Sequence, residues 1–336
     1  MRFGFFLPHL VDGGARERYG PTYDVCRLAE SVGFDFVAMG HHRFTADSGV
    51  ETAPLLLLAA IAARTTKLRF SSAVFLLPLY HALDIAEQIA TLDQISDGRA
   101  MLSFGLGYRP YEYEHAGLAY SARGSRMEEA LQILRQSWTE ESVHFSGRHY
   151  QIDGASVVPK PVQQPHPPIW LGGGATVGVD RAARLADGWM VDTTKTIDSV
   201  QRKVAYYRAA AAKLGRPSQV CLVRQVGIGA TREDVERTWL PDMSRQLLGV
   251  WQAGGRFTNG DEFARKMLAG ETLTLEEFAG GRDIAGTPQD CIEQLRTFQD
   301  PTGCEYFLGI FGDAPDAETL SASIELFGRE VIPAFP

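Results

Sequence analysis

A chain of 336 residues, 45% hydrophobic and 22% charged, can form two ordinary domains or one large barrel, with enough apolar content for a sizeable core. Its formal charge of -8 and lack of a dense Lys/Arg run argue against a nucleic-acid surface. Cys26, Cys221, Cys291 and Cys304 are scattered without a CxxC pair, the amino terminus has no signal-peptide run, and no stretch approaches the roughly 20 apolar residues of a membrane span, so a cytoplasmic protein with reduced core cysteines is expected.

Arg2 to Leu7 reads as a buried strand closed by Pro8, and Val11 to Gly20 as a glycine-bearing loop. Thr22 is placed to cap a helix whose apolar positions Val25, Leu28, Ala29 and Val32 follow the helical period up to Gly33. Phe34 to Met39 is the second strand, Ala53 to Ala63 an apolar helix, and Leu68 to Leu76 a third strand rich in β-formers. Leu83 to Ile95 carries a helical stripe that stops at Ser96-Asp97-Gly98, and Arg99 to Phe104 is strand four.

A long glycine and aromatic loop, Gly105 to Gly117, follows, then a helix with Met127, Leu131, Leu134 and Trp138 on one face. His144 to Tyr150 suggests a small hairpin, and the proline-rich Pro159 to Pro168 an extended return to the sheet. Ile169 to Leu171, Trp189 to Val191 and Val220 to Gly227 are strands five to seven, with helices over Val179 to Ala186 and Ile197 to Leu214 between them. After an irregular, mainly helical stretch come a helix over Pro288 to Phe298, strand eight at Tyr306 to Phe311 and a closing helix, Ala317 to Val331. Eight strands alternating with helices imply an α/β fold, a parallel TIM (β/α)8 barrel over residues 1–336 as a single domain, with a mainly helical insertion at about 231–285. The longest connections follow strands one, two, four and seven, all on the C-terminal rim.

Four stretches carry chemistry. Phe36-Val37-Ala38-Met39-Gly40-His41-His42-Arg43 delivers two imidazoles to the carboxyl end of a buried strand, where α/β sheets place ligands. The competing reading is one capping and one solvated histidine; a shared metal is disfavoured because neighbours on a strand point to opposite faces. Gly172-Gly173-Gly174-Ala175-Thr176 lies between a strand and a helix, where exposed N–H groups can cradle a phosphate and Thr176 add a hydroxyl, although it also reads as a plain flexible turn. It is not a Walker loop, since no lysine follows.

In Gly105 to Tyr113, residues Tyr108, Tyr111 and Tyr113 could wall a planar ligand and Arg109 neutralise a negative charge, against a packed aromatic loop as the plain alternative. The small residues of Ser71-Ser72-Ala73-Val74-Phe75 would let a flat ring approach closely. His81 reads as a helix cap in preference to a residue facing the site, and Glu128, Glu129, Glu140 and Glu141 as solvated helix faces.

Together Ser31-Val32-Gly33-Phe34-Asp35, Gly40-His41-His42, Leu77-Pro78 with His81, Ala90 to Arg99, Gly105 to Pro110, Pro159-Lys160-Pro161 through Trp170, and Ala186-Asp187-Gly188-Trp189 resemble the bacterial luciferase-like monooxygenase family. These are flavin- or deazaflavin-dependent TIM barrels, and the likeness runs to about Gly229, with Gly286-Thr287-Pro288 and the last strand beyond. The resemblance implies His41 as the catalytic histidine, Ala73-Val74 as a bond, often non-proline cis, packed against the flavin ring, and Gly173, Gly174 and Thr176 as the phosphate loop. It places Tyr108 beside the ring, with His42 and Tyr111 assigned to the substrate.

Two positions depart from the family pattern. Gly40 stands where a glutamate usually precedes the histidines, so that carboxylate is missing or supplied elsewhere. Leu106 stands where luciferase has an arginine near the flavin phosphate, leaving anion binding to main-chain donors or another basic residue.

The resemblance implies a monooxygenase that takes reduced FMN from a partner flavin reductase, uses O2 on a small organic substrate, and forms a homodimer; the aromatic and apolar loops suggest a hydrophobic substrate, and charge, apolar runs and ligand spacing lead us to expect no nucleic acid, membrane or metal. The cofactor would carry the redox chemistry, and the protein would position it and exclude water. Hydride transfer with the deazaflavin coenzyme F-420 is the runner-up; no Gly-Ser-Gly-Glu type loop follows strand four, and its acidic residue, Glu112, comes late. A flavin carrier without chemistry is the third reading. The substrate pocket is expected from Val11 to Gly20, Tyr108 to Arg123 and Leu240 to Gly281, with Trp251 and Phe257.

Overall fold

The computed structural model describes the chain except residues 8–14, 46–50, 194, 242, 246–247, 249–261, 272 and 313–316, and the side chains of 15–18. The first half runs β1 (Arg2–Phe6), α1 (Ala15–Ser31), β2 (Phe36–Met39), α2 (Pro54–Ala62), β3 (Arg69–Ser72), α3 (Ala82–Ile95), β4 (Ser103–Phe104), α4 (Pro110–His115) and α5 (Arg123–Thr139). A hairpin, β5 (Val143–Ser146) with β6 (Gln151–Ala155), precedes β7 (Trp170–Gly172), α6 (Thr176–Leu185), β8 (Gly188–Met190), α7 (Ile197–Lys213) and β9 (Gln219–Ile228). Then come α8 (Arg232–Thr238), α9 (Glu262–Leu268), α10 (Leu275–Ala279), β10 (Ile284–Gly286), α11 (Pro288–Thr302), β11 (Tyr306–Ile310) and α12 (Ala317–Leu326).

Eight parallel strands run in the order β3-β2-β1-β11-β9-β8-β7-β4. Parallel bridges Phe70 to Ala100 and Phe75 to Phe104 bring β3 back to β4 and nearly close the ring. The short strands are buried on both faces, as parallel strands under a helical coat must be, and all four residues of β2 are inaccessible. Inside the ring Phe36, Trp170 and Tyr306 meet edge to face, with centroids 6.1 and 4.9 Å apart, and fill the lower end. Above them Ala38, Met190, Val223, Leu308 and the partly buried Val74 and Ile310 form a second apolar layer. The helices pack on the outside through the larger core.

Several local expectations are corrected. The helix expected from Thr22 starts at Ala15 and runs through Pro21, with Thr22 buried inside it rather than capping. Thr22, Val25, Cys26 and Ala29 form one buried stripe, and its packing outweighs the proline's cost of roughly 3 kcal/mol. His81 occupies the N-cap position of α3 without a side-chain cap bond, its ring standing edge-on to Tyr150. The loop after β4 contains the short helix α4, begun by Pro110. Glu128 and Glu129 are engaged: Glu128 pairs with Arg181 and Arg184, and Glu129 accepts the N–H groups of Arg148 and His149.

Between β9 and β10 the described residues include the short helices α8, α9 and α10, and a strand the sequence did not reveal, β10, pairs in parallel with Val226–Ile228. Trp251 and Phe257 lie outside the described residues. All four cysteines are free and buried. Among the described residues no helix is long and apolar enough to cross a membrane.

Candidate active site

A cavity of about 540 Å³ opens at the C-terminal mouth of the barrel, within the size range of small-molecule and cofactor sites. Its floor is the second apolar layer, Phe6, Val74, Met190, Val223 and Ile310. The Ala73–Val74 peptide bond is cis, and the Val74 side chain sits between two glycines. A Cβ on Gly105 would lie 2.1 Å from Val74 Cγ2, and one on Gly172 would lie 2.6 Å from Cγ1. Small residues at the ends of β4 and β7 therefore admit Val74 and leave a slot beside it, lined further by Leu106, Gly107 and Tyr108.

At one end of the slot the chain leaves β7 through Gly172, Gly173 and Gly174 into the first turn of α6. Gly173 has φ +145, which L-residues rarely adopt, and a Cβ there would meet open space. Gly173 and Gly174 both line the cavity; Thr176, expected to add a hydroxyl, is an exposed first residue of α6 and does not. Two basic side chains complete this end. Arg123 carries a buried Nε without a hydrogen-bond partner among the described residues, and Arg181 Nε lies 3.0 Å from Glu128 Oε1. Both line the same cavity as the glycine loop, where Leu106 offers no charge.

At the other side stand the two histidines. His41 is only 2% exposed, and its Nδ1 accepts the Leu76 N–H at 3.1 Å. The ring proton is thereby assigned to Nε2, which lies 2.9 Å from the Tyr80 hydroxyl. Burial, helped by the nearby His42 and Arg43, pushes the His41 pKa down to about 3, so this imidazole is neutral. It stacks on Phe75 at 4.7 Å and is not among the cavity-lining residues. Burial also raises the Tyr80 pKa to about 12, keeping its hydroxyl protonated.

His42 is the imidazole next to the cavity wall. Its Nδ1 lies 3.0 Å from Glu112 Oε1, and its Nε2 lies 3.3 Å from the hydroxyl of Tyr108, which lines the cavity and is 44% exposed. Glu112 is fully buried and also accepts the Arg43 N–H at 2.8 Å, which ties α4 to the strand-two loop. Burial raises the Tyr108 pKa. A carboxylate on Nδ1 fixes the proton there and leaves Nε2 as acceptor for the Tyr108 hydroxyl. Tyr111 turns elsewhere: its hydroxyl accepts from Arg109 at 3.0 Å, its ring faces His115, and it does not line the cavity.

A carboxylate does reach His42, from position 112 rather than from position 40. Sequence reasoning noticed Glu112 only as a late acidic residue, included Arg123 only as the end of an expected pocket loop, and gave Tyr80 and Arg181 no role. The available signals were an acid in an otherwise aromatic segment and, for Arg123 and Arg181, basic residues near two helix starts.

The model of the luciferase-like monooxygenase family matches residues 1–303. The FMNH(2)-dependent dimethylsulfone monooxygenase of Pseudomonas putida is 29% identical over 357 residues, which cover 99% of this chain and 94% of that protein. One similar solved structure is the oxygenating constituent of 3,6-diketocamphane monooxygenase from the CAM plasmid of Pseudomonas putida, in complex with FMN. It has TM-score 0.82 and 21% identity, covering 100% of this chain and 99% of that one. The coenzyme F-420 dependent tetrahydromethanopterin reductase from Methanopyrus kandleri has TM-score 0.76 and 19% identity, with 100% and 99% covered. At such identities the two structures establish a shared fold, while the family match spans most of the sequence. The chain belongs to the luciferase-like monooxygenase family of oxidoreductases.

Proposed function

We propose that the protein is a flavin monooxygenase that takes reduced FMN from a separate flavin reductase and uses O2 to oxygenate a small organic substrate. The observation that carries this reading is one cavity with a flat apolar slot over Val74 and an anion-binding end at Gly173, Gly174, Arg123 and Arg181. That pairing of surfaces fits a planar ring carrying a phosphate. The dimethylsulfone relative, named as FMNH(2)-dependent, points to the same reduced cofactor and hence to a reductase that supplies it.

In this reading Ala73 and Val74 bear on the ring, Tyr108 flanks it, and the glycine loop with the first turn of α6, begun by Thr176, holds the phosphate. Bound reduced flavin supplies the electrons for activating O2. His42 is the group that moves a proton at Nε2, through or beside the Tyr108 hydroxyl, and Glu112 holds it in the required tautomer. His41, expected in that role from the resemblance, has both ring nitrogens engaged and serves to hold Tyr80 and the Leu76 backbone in place. The Glu112 partnership counts against the carrier reading that the glycine at position 40 invited. The substrate would be hydrophobic, in keeping with the apolar floor, and Tyr111 would reach it only through the neighbouring Arg109.

A homodimer is part of the proposal. α2 is apolar on its outer side as well as its inner one, with Leu56 74% exposed. The whole chain would act as one barrel unit with the 231–285 segment inserted in it.

Anaerobic titration with reduced FMN and with reduced coenzyme F-420 tests the cofactor. Tighter binding of FMN, and O2 uptake on adding a flavin reductase and NADH, are expected. Preference for the deazaflavin would replace this reading with hydride transfer.

A further inference from the structure

We infer that Trp189 and Lys203 are positioning residues that give the glycine loop its preference for a phosphorylated flavin, by holding two successive carbonyls away from the cavity. This deepens the FMN reading and rests on it. The Trp189 indole Nε1 donates to Gly173 O at 2.8 Å, and the Lys203 ammonium donates to Gly174 O. Trp189 points outward from β8 into the buried layer beneath α7, its ring 5.4 Å from Tyr207, and Lys203 stands on α7 itself. Both donors therefore act from outside the barrel.

In a planar trans peptide the carbonyl and the following N–H point in opposite directions. Drawing Gly173 O outward turns the Gly174 N–H inward, and drawing Gly174 O outward does the same for Ala175. Neither N–H has a hydrogen-bond partner among the described residues. Ala175 O accepts from the Gly178 and Val179 N–H groups, so α6 begins at once and adds its own first-turn donors. Consecutive amides converging in this way make an anion nest.

Gly174 and Ala175 both line the cavity, together with Arg123 and Arg181. Lys203 also acts through charge. Asp192 lines the same cavity, and the ammonium groups of Lys195, 3.9 Å from it, and of Lys203 offset its negative charge there. Burial, with Lys195 nearby, lowers the Lys203 pKa, the mark of an ammonium partly withdrawn from water.

The test is anaerobic titration of the full chain with reduced FMN and reduced riboflavin, which differ only in the phosphate. In Lys203→Met and Trp189→Phe, FMN affinity should fall by about tenfold or more, the scale of one lost charge-assisted bond, while riboflavin affinity stays within about twofold. Lys203→Arg, which keeps a donor, should retain the FMN preference. Equal losses for both flavins, or unchanged FMN binding in Lys203→Met, would overturn the inference. Wild-type protein that binds riboflavin as tightly as FMN would instead remove the phosphate reading itself.

Discussion

His42 Nδ1 lies 3.0 Å from Glu112 Oε1 across 70 residues of sequence, and the carboxylate is wholly buried while the imidazole reaches a cavity-lining tyrosine. The pair has the form of an acid–base group with its orienting partner, and its two members test separately. His42→Ala should lower turnover by about a hundredfold or more, the usual worth of a positioned proton donor or acceptor, with reduced-flavin affinity held. Glu112→Gln keeps the volume but can present an amide to Nδ1, so turnover should fall at least about tenfold. Steady-state rates with a coupled reductase measure both. Full turnover in His42→Ala would return the proton-transfer role to another group.

His41 makes a stability prediction with a defined sign. Its folded pKa, about 3, lies below that of an exposed imidazole near 6.5, so between these values the unfolded chain binds a proton that the folded chain does not. The contribution of His41 is complete above about pH 6.5 and is lost as pH falls toward 3, by about 1.4 kcal/mol per pH unit within that window. Chemical denaturation of wild type and His41→Gln at pH 6.5, 5.5 and 4.5 checks it. The variant should show the shallower loss, and parallel slopes would contradict a buried neutral imidazole.

The barrel was legible because its strands are continuous apolar runs, such as Phe36 to Met39, separated by helices with clear stripes, such as α3. Local signals also marked the glycine loop and the histidine pair. The link from Glu112 to His42 was not legible, because it exists only once β2, β3 and β4 stand side by side and α4 folds back over them. The early start of α1 was masked by Gly20-Pro21, which reads as a break until the buried face of the helix is seen. β10, three residues long, carries no periodicity to detect. Arg181 is similar: only the fold brings it to Glu128, and only the cavity gives it a purpose.

The outer face of α2 makes an assembly prediction. Leu56 is 74% exposed on a helix whose sequence, PLLLLAAIA, has no charged residue, and a face of this kind is costly to leave in water. Leu56→Glu should convert the proposed dimer to monomer, seen by light scattering, with the melting temperature of the monomeric unit changed by no more than a few degrees. An unaltered dimer would place the contact elsewhere on the surface.

Val74 and its two glycines allow a compensation experiment. Gly105→Ala puts a methyl group 2.1 Å from Val74 Cγ2, closer than non-bonded atoms tolerate, so the valine must leave the floor of the slot or the backbone of β4 must move. Overpacking of this kind costs about 1–3 kcal/mol. Reduced-flavin affinity should drop along with stability, because the side chain pushed aside has the slot as its open direction. Adding Val74→Ala removes both Cγ atoms, so the double variant should regain most of the stability lost in Gly105→Ala, an interaction of at least about 1 kcal/mol in a double-mutant cycle. Additive losses would mean that the glycine is needed for its backbone alone, whereas recovery of stability with flavin binding still weak would show that the isopropyl group itself supports the ring.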